Sequence, residues 1–239
     1  MKEKILVCGA GGFIGGHLVN DLLKDGFEVV CADVKPLEYW FQLFEENKNF
    51  SLDLKEYENC LKVTKNIEFV YNMACNMGGM GFIENNKAEC MLSVLINTNL
   101  LRACLKNNID KYFFSSSACV YNGQKQKKVF VPGLKEIDAY PAEPEDGYGW
   151  EKLFSERMCR HFNEDFGLDV RIVRYHNIYG PRMGYEHVMP QLSIRALKKE
   201  DPFKIYGSVA TRAFCHVSDA ARATTLVMRS KATKSKIVN

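Results

Sequence analysis

The chain has 239 residues, 46% of them hydrophobic and 26% charged, with 32 Lys and Arg against 29 Asp and Glu for a net charge of +3. That length holds one large domain, or a domain and a half, with a sizeable core. So even a charge balance argues against nucleic acid or a membrane surface as partner, and the short Lys125-Gln126-Lys127-Lys128 cluster reads as a solvated loop.

Lys4-Ile5-Leu6-Val7-Cys8 is short and mostly apolar, the pattern of a strand buried on both faces. A glycine turn follows. Phe13, Ile14, Leu18, Leu22 and Leu23 then recur at helical spacing, and Asp25-Gly26-Phe27 stops that helix, with Gly26 free to take the left-handed cap conformation. Glu28 to Asp33 is a second strand with an acid at its end, which completes a βαβ unit. Strands are predicted at 67–73, 112–115 and 170–175, and helices at 92–105 and 148–162. Such alternation predicts an α/β fold with a doubly wound parallel sheet, Rossmann-like in its first crossover. The loop from Asn122 to Pro144, with Pro132, Pro141 and Pro144, is long enough to suggest a function.

The nine cysteines are irregularly spaced and none forms a C-x-x-C pair, so no disulfide framework and no metal-ligating set is expected. A reducing, cytoplasmic compartment is the simple reading, with most thiols acting as small core residues. Lys2 and Lys4 precede an apolar stretch, but glycines break it and no clean cleavage site follows. No run of the sequence is expected to span a bilayer.

Two constellations carry chemistry. In the first, Gly9, Gly12 and Gly15 stand at the spacing of a dinucleotide turn, with Phe13 and Ile14 opening the helix between them. Gly9 would allow the tight turn, Gly12 the close approach of a pyrophosphate, and Gly15 the packing of helix on strand. The helix N-terminus would offer free N–H groups to the phosphates. Asp33, 18 residues beyond Gly15, would accept from the ribose hydroxyls and repel a 2′-phosphate, favouring NAD over NADP. Asp53 and Leu54 would meet the adenine edge or simply cap the next helix.

In the second constellation, Tyr148 and Lys152 are spaced i and i+4 on one helix face. An ammonium beside a phenol favours the phenolate, so Lys152 is expected to lower the pKa of Tyr148. Ser115-Ser116-Ser117-Ala118-Cys119 ends a predicted strand, where α/β sheets bind ligands. Ser117 would hydrogen-bond a substrate alcohol, and the Cys119 thiol would give and take a proton at the same rim.

These motifs, together with Arg174-Tyr175-His176-Asn177-Ile178-Tyr179-Gly180-Pro181, make the chain resemble the extended short-chain dehydrogenase/reductase family of NAD-dependent epimerases and dehydratases along nearly its whole length. The segments Met77 to Ile83, Ser116 to Tyr121 and Tyr140 to Asp146 resemble its GDP-mannose 3,5-epimerase branch. The resemblance implies bound NAD, a nucleotide-diphosphate sugar as substrate and a transient 4-keto sugar. Ser117, Tyr148 and Lys152 would form the oxidising triad, and Cys119 would be an acid/base where related dehydratases keep a glutamate. It places Gly78 and Gly79 along the sugar pocket, and Asn177 and Arg212 (the latter in the run from Tyr206 to Phe214) on the sugar diphosphate. The second acid/base of that branch is a lysine. The shorter loop Arg182 to Pro190 has none, and His187 stands nearest, as a proton carrier, a helix cap or a nucleotide contact. A 4,6-dehydratase, decarboxylase or C4 dehydrogenase, and a catalytically idle NAD-binding protein, remain alternatives. The resemblance further implies a homodimer through the helices 92–105 and 148–162. It divides the chain into an NAD-binding domain over 1–175 and a partial substrate lobe over 176–239, truncated at its C-terminus and mixed with returning elements of the first domain.

Overall fold

A computed structural model describes residues 3–126, 133–205 and 211–239. In chain order the elements are β1 (Lys4–Cys8), α1 (Phe13–Lys24), β2 (Glu28–Asp33), β3 (Lys48–Ser51), α2 (Tyr57–Val63), β4 (Phe69–Asn72), α3 (Met80–Asn85), α4 (Lys87–Met91), α5 (Ser93–Lys106), β5 (Lys111–Ser117), α6 (Tyr148–Phe166), β6 (Asp169–Tyr175), β7 (Asn177–Tyr179), α7 (Val188–Leu197), β8 (Phe214–His216), α8 (Val217–Arg229) and β9 (Ile237–Val238). The main sheet runs β3-β2-β1-β4-β5-β6-β9, with every pairing parallel. A small parallel sheet joins β7 to β8. The expected doubly wound Rossmann-like sheet is therefore present, and its strand order reverses between β1 and β4.

The two-residue period of the strands decides which layer each side chain joins. Leu6 and Cys8 of β1 face one core with Val30, Val70, Tyr112 and Phe114, under α2, α5 and α6. Ile5 and Val7 face the other with Val29, Cys31, Tyr71 and Phe113, under α1 and α8. Both faces are covered, which is why the strands read as unbroken apolar runs. Gly26 takes φ +87° after α1, and Gly167 takes φ +75° after α6, which runs four residues past its predicted end. The chain returns to the first layer late: α8 packs on α1, and β9 adds to the sheet beside β6.

Three expectations change. Lys125 does not sit free in solvent: its ammonium bonds Asp138 at 2.8 Å and the Tyr140 carbonyl at 3.0 Å. Lys127 and Lys128 lie outside the described residues. The described parts of the loop from Asn122 to Pro144 brace the turn after β5, with Leu134 and Ala139 packed on Val120, Tyr121 and Leu153 of α6. Finally, the helix over Lys87–Lys106 is long and apolar enough, by length and composition, to cross a membrane. Its inner face is instead committed to the core, where Leu100, Leu101, Ala103 and Cys104 are fully buried.

Candidate active site

A cavity of about 1040 Å³ runs along the C-terminal ends of the strands. It stands at the upper end of the range for small-molecule sites, with room for two ligand parts. The first half is built by β1 and its turn. Gly9 has φ +80°, and a Cβ there would lie 2.8 Å from the Met73 backbone. A Cβ on Gly15 would meet the Gly9 carbonyl oxygen at 2.1 Å, so the helix can cross the strand only with glycine at both points. Gly12 is the N-cap of α1 and no side chain caps that turn, which leaves N–H groups open to the cavity. Phe13 and Ile14 line the same stretch. Asp33 ends β2 and holds the turn itself, accepting from Gly11 N at 3.0 Å and from Lys35 N at 3.0 Å. Asp53 and Leu54 also line the cavity. Asp53 accepts from Lys55 N at 2.9 Å and is not the cap of α2, whose N-cap is Glu56. The glycine cradle, the open helix end and the carboxylate at the end of β2 fit a dinucleotide of the NAD type.

The second half is built by β4, β5 and the start of α6. Ser117 ends β5, and its Oγ accepts from Cys119 N at 3.2 Å, which folds residues Ala118–Val120 into a tight 3-10 turn. Tyr148 opens α6. Its ring packs with Ile83 and Cys90, against Phe82, Cys75 and Cys119. Ser117, Cys119 and Tyr148 all line the cavity, as do Gly78, Gly79, Asn177 and His187. The two glycines also make room within the protein itself. A Cβ on Gly79 would lie 2.7 Å from the Glu186 carbonyl oxygen, and one on Gly78 would lie 2.9 Å from Phe82. The missing side chains thus admit the protein's own loop 182–187 and its own phenyl ring. Asn177 Nδ2 is committed to the Ala213 carbonyl at 2.9 Å, and His187 stands 3.5 Å from Glu186.

Lys152 does not line the cavity. Its side chain is 1% exposed, with the ammonium 3.7 Å from Glu151 Oε2, 4.8 Å from the centre of the Phe114 ring and 5.5 Å from that of Tyr148. The expected lowering of the Tyr148 pKa is reversed in direction. Burial pushes the phenol well above its ordinary value, Cys75, Cys119 and Glu151 add to the rise, and the hydrogen bond with Ser117 opposes it. Burial likewise raises the Cys119 thiol, against Ser117. Arg212 is exposed outside the cavity, with Nη1 on the Thr211 carbonyl at 2.8 Å, and the adjoining residues 206–210 lie outside the described ones.

Several contributors carried no sequence signal that was used. Cys75 and Glu186 line the cavity. Cys75 follows β4 at the point where strand order reverses, so the switch-point rule could have flagged it. Glu151 is 3% exposed and accepts from Ser155 Oγ at 2.8 Å, while its second oxygen has no hydrogen-bond partner among the described residues and faces Lys152. Behind the serine run, Glu156 accepts from Ser116 Oγ at 2.5 Å and takes two bonds of 2.8 Å from Arg174.

Fold and cavity together define a nucleotide-handling α/β enzyme site of the kind built at a sheet's switch point. The chain belongs to the NAD dependent epimerase/dehydratase family, whose profile matches residues 5–239. NAD is the cofactor of that family. The chain is 40% identical over 222 residues to GDP-mannose 3,5-epimerase of Arabidopsis thaliana, an overlap of 90% of this chain and 59% of that protein. It therefore spans about 59% of the length of that relative. MoeE5, solved in complex with UDP-glucose and NAD, is 30% identical with a TM-score of 0.80, over 98% of this chain and 74% of the other. UDP-glucose 4-epimerase of Thermotoga maritima, solved with UDP-glucose, is 25% identical with a TM-score of 0.84, over 98% of this chain and 75% of the other.

Proposed function

We propose that this chain holds NAD and epimerises a nucleotide sugar through a transient 4-ketone, in the manner of GDP-mannose 3,5-epimerase. One observation carries the reading: Ser117, Cys119 and Tyr148 open on the wall of the same cavity that ends in the glycine turn and Asp33. When bound, NAD would accept and return the hydride at the sugar C4.

The chain's own residues supply the proton chemistry. Tyr148 Oη takes the proton of the C4 hydroxyl, and Ser117 Oγ hydrogen-bonds the same oxygen. The phenol is too basic in the free protein to act near neutral pH, because burial raises it. A turn of the Lys152 ammonium away from Glu151 would lower it, and bound oxidised NAD would add positive charge to the same cavity. A ketone at C4 acidifies the hydrogens at C3 and C5. At such a carbon Cys119 Sγ takes the proton from one face, and His187, on the loop facing the Gly78-Gly79 turn, gives one to the opposite face, which inverts the centre. Return of the hydride restores the alcohol with no net redox change. Cys119 in place of a carboxylate supports epimerisation over loss of water.

The exposed Met91, Leu92 and Leu95 together with Trp150 and Phe154, on neighbouring helices, support a homodimer through that face. The nine unpaired thiols support a reducing, cytoplasmic compartment.

The test is incubation of the NAD-loaded chain with GDP-mannose and other nucleotide sugars in deuterated water, with NMR at C3 and C5. Deuterium should enter in the parent chain. Exchange should vanish in Cys119→Ser with NAD retained, and Tyr148→Phe should stop hydride transfer. Tight NAD without exchange or turnover on any sugar nucleotide would instead support an idle NAD-binding protein. Loss of NAD from Cys119→Ser would contradict the role given to the thiol.

A further inference from the structure

Strand β6 brings Tyr175 opposite Ser117 in register. The next residue, His176, is exposed to the cavity and lines it. Its ring lies 6.2 Å from that of Tyr121 at 41°, and Tyr121 in turn lies 4.9 Å from the Arg174 guanidinium. Arg174 is fixed by its two bonds to Glu156 and by a third, of 2.7 Å, to the Glu136 carbonyl. The imidazole is thus docked on a rigid platform, while its ring nitrogens have no hydrogen-bond partner among the described residues. Its neighbour Asn177 has already committed its amide donor to Ala213. Burial, reinforced by the charge of Arg174, holds His176 below the ordinary histidine range. A neutral imidazole offers one N–H and one lone pair. A phosphate asks for donors only, and a cation suits it better. A sugar hydroxyl both gives and accepts, and matches this ring.

We propose that His176 reads a hydroxyl on the sugar ring of the substrate and so helps decide which sugar the pocket accepts. The inference rests on the nucleotide-sugar reading above and adds to it a residue for the sugar alone. It assigns His176 no contact with the phosphates.

The test compares affinities for GDP-mannose and GDP, and for UDP-glucose and UDP, by calorimetry on NAD-loaded chain. The readout is the ratio of sugar nucleotide to plain nucleotide within each protein, which cancels any inactive fraction. His176→Phe keeps a ring on the Tyr121 platform and removes both polar atoms. It should lower that ratio about tenfold, the effect of losing about one or two hydrogen bonds, with affinity for the plain nucleotide held. His176→Gln, which restores a donor and an acceptor, should recover part of the loss. An unchanged ratio in His176→Phe, equal losses for sugar nucleotide and plain nucleotide, or a Gln variant no better than Phe would overturn the inference. If the parent chain itself prefers no sugar nucleotide to its plain nucleotide, the proposed function fails and this inference with it. A parent preference that survives His176→Phe sinks this inference alone.

Discussion

Gly149 lies so close under Cys119 that a Cβ on it would stand 2.4 Å from the Cys119 carbonyl oxygen. The same oxygen accepts from Glu145 N at 3.0 Å, and the Glu145 carboxylate accepts from Gly149 N at 2.8 Å. The turn that carries Cys119 and the helix start that carries Tyr148 therefore move as one unit. Gly149→Ala must push them apart against backbone, which does not yield like a side-chain tip. We expect a loss of about 1–3 kcal/mol in urea unfolding and a roughly hundredfold loss of proton exchange at the sugar, with NAD still bound. An alanine variant with parental stability and exchange would show that the contact relaxes freely.

Asp33 is tied to the turn by Gly11 N and Lys35 N, so its charge holds the loop and would also meet the ribose of bound NAD. Asp33→Ala should weaken NADH about ten- to a hundredfold, the cost of about two charge-assisted hydrogen bonds. It should also narrow the preference over NADPH, because the charge that repels a 2′-phosphate is gone. Fluorescence titration with both cofactors measures this. Undiminished NADH affinity with NADPH still rejected would contradict it.

Arg174 and Glu156 are 1% and 2% exposed and bonded twice at 2.8 Å. Arg174→Met would leave the Glu156 carboxylate buried with only Ser116 for company. The expected cost is about 3–5 kcal/mol. Removing both charges, in Arg174→Met with Glu156→Met, should cost less than the single change, since no lone charge then remains in the core. Urea unfolding of the two variants decides it, and a double variant weaker than Arg174→Met would refute the argument.

Stability should fall at alkaline pH. Burial pushes the Cys31 and Cys60 thiols up to about 12, from an ordinary 9.0. Above pH 9 the unfolded chain gives up these protons while the folded chain keeps them. The folded state then binds more protons, and stability declines as pH rises. The contribution is whole below pH 9 and is lost progressively as pH climbs through about 12. Each thiol contributes a slope of about 1.4 kcal/mol per pH unit within that window. Urea midpoints at rising pH should drop, and Cys31→Ala should reduce the slope even though it also lowers the starting stability. A flat profile from pH 8.5 to 11 would rule this out.

Sequence periodicity made β1, β2, β5, β6, α1 and α6 legible, because each has a single dominant pattern: an apolar run covered on both faces, or an apolar stripe closed by a glycine. The short strands β3, β7, β8 and β9 had no such pattern. Lys48–Ser51 is only partly buried, and Ile237–Val238 has two residues, so their pairing comes from neighbours far along the chain. Most of the candidate site was equally readable. Gly9, Gly15, Asp33, Ser117, Cys119 and Tyr148 all reach one cavity, because each stands at the end of a strand or the start of a helix whose position the sheet fixes. Arg212 stands outside that cavity, and Lys152 lies beside Tyr148 but behind the cavity wall. A long side chain chooses among partners that spacing does not reveal, here the Thr211 carbonyl and Glu151.

The chain by itself determined where the long buried strands and the glycine turn fall, since backbone conformation and apolar period are local properties of neighbouring residues. Only the folded arrangement decided the chemistry's surroundings. It buried the phenol of Tyr148 and raised it where a nearby ammonium alone would have lowered it, turned Lys152 toward Glu151, set Gly149 under Cys119, and left His176 facing the cavity with both nitrogens open among the described residues. Desolvation, close contact and charge depend on atoms brought together from distant parts of the chain, and no spacing along the sequence encodes them.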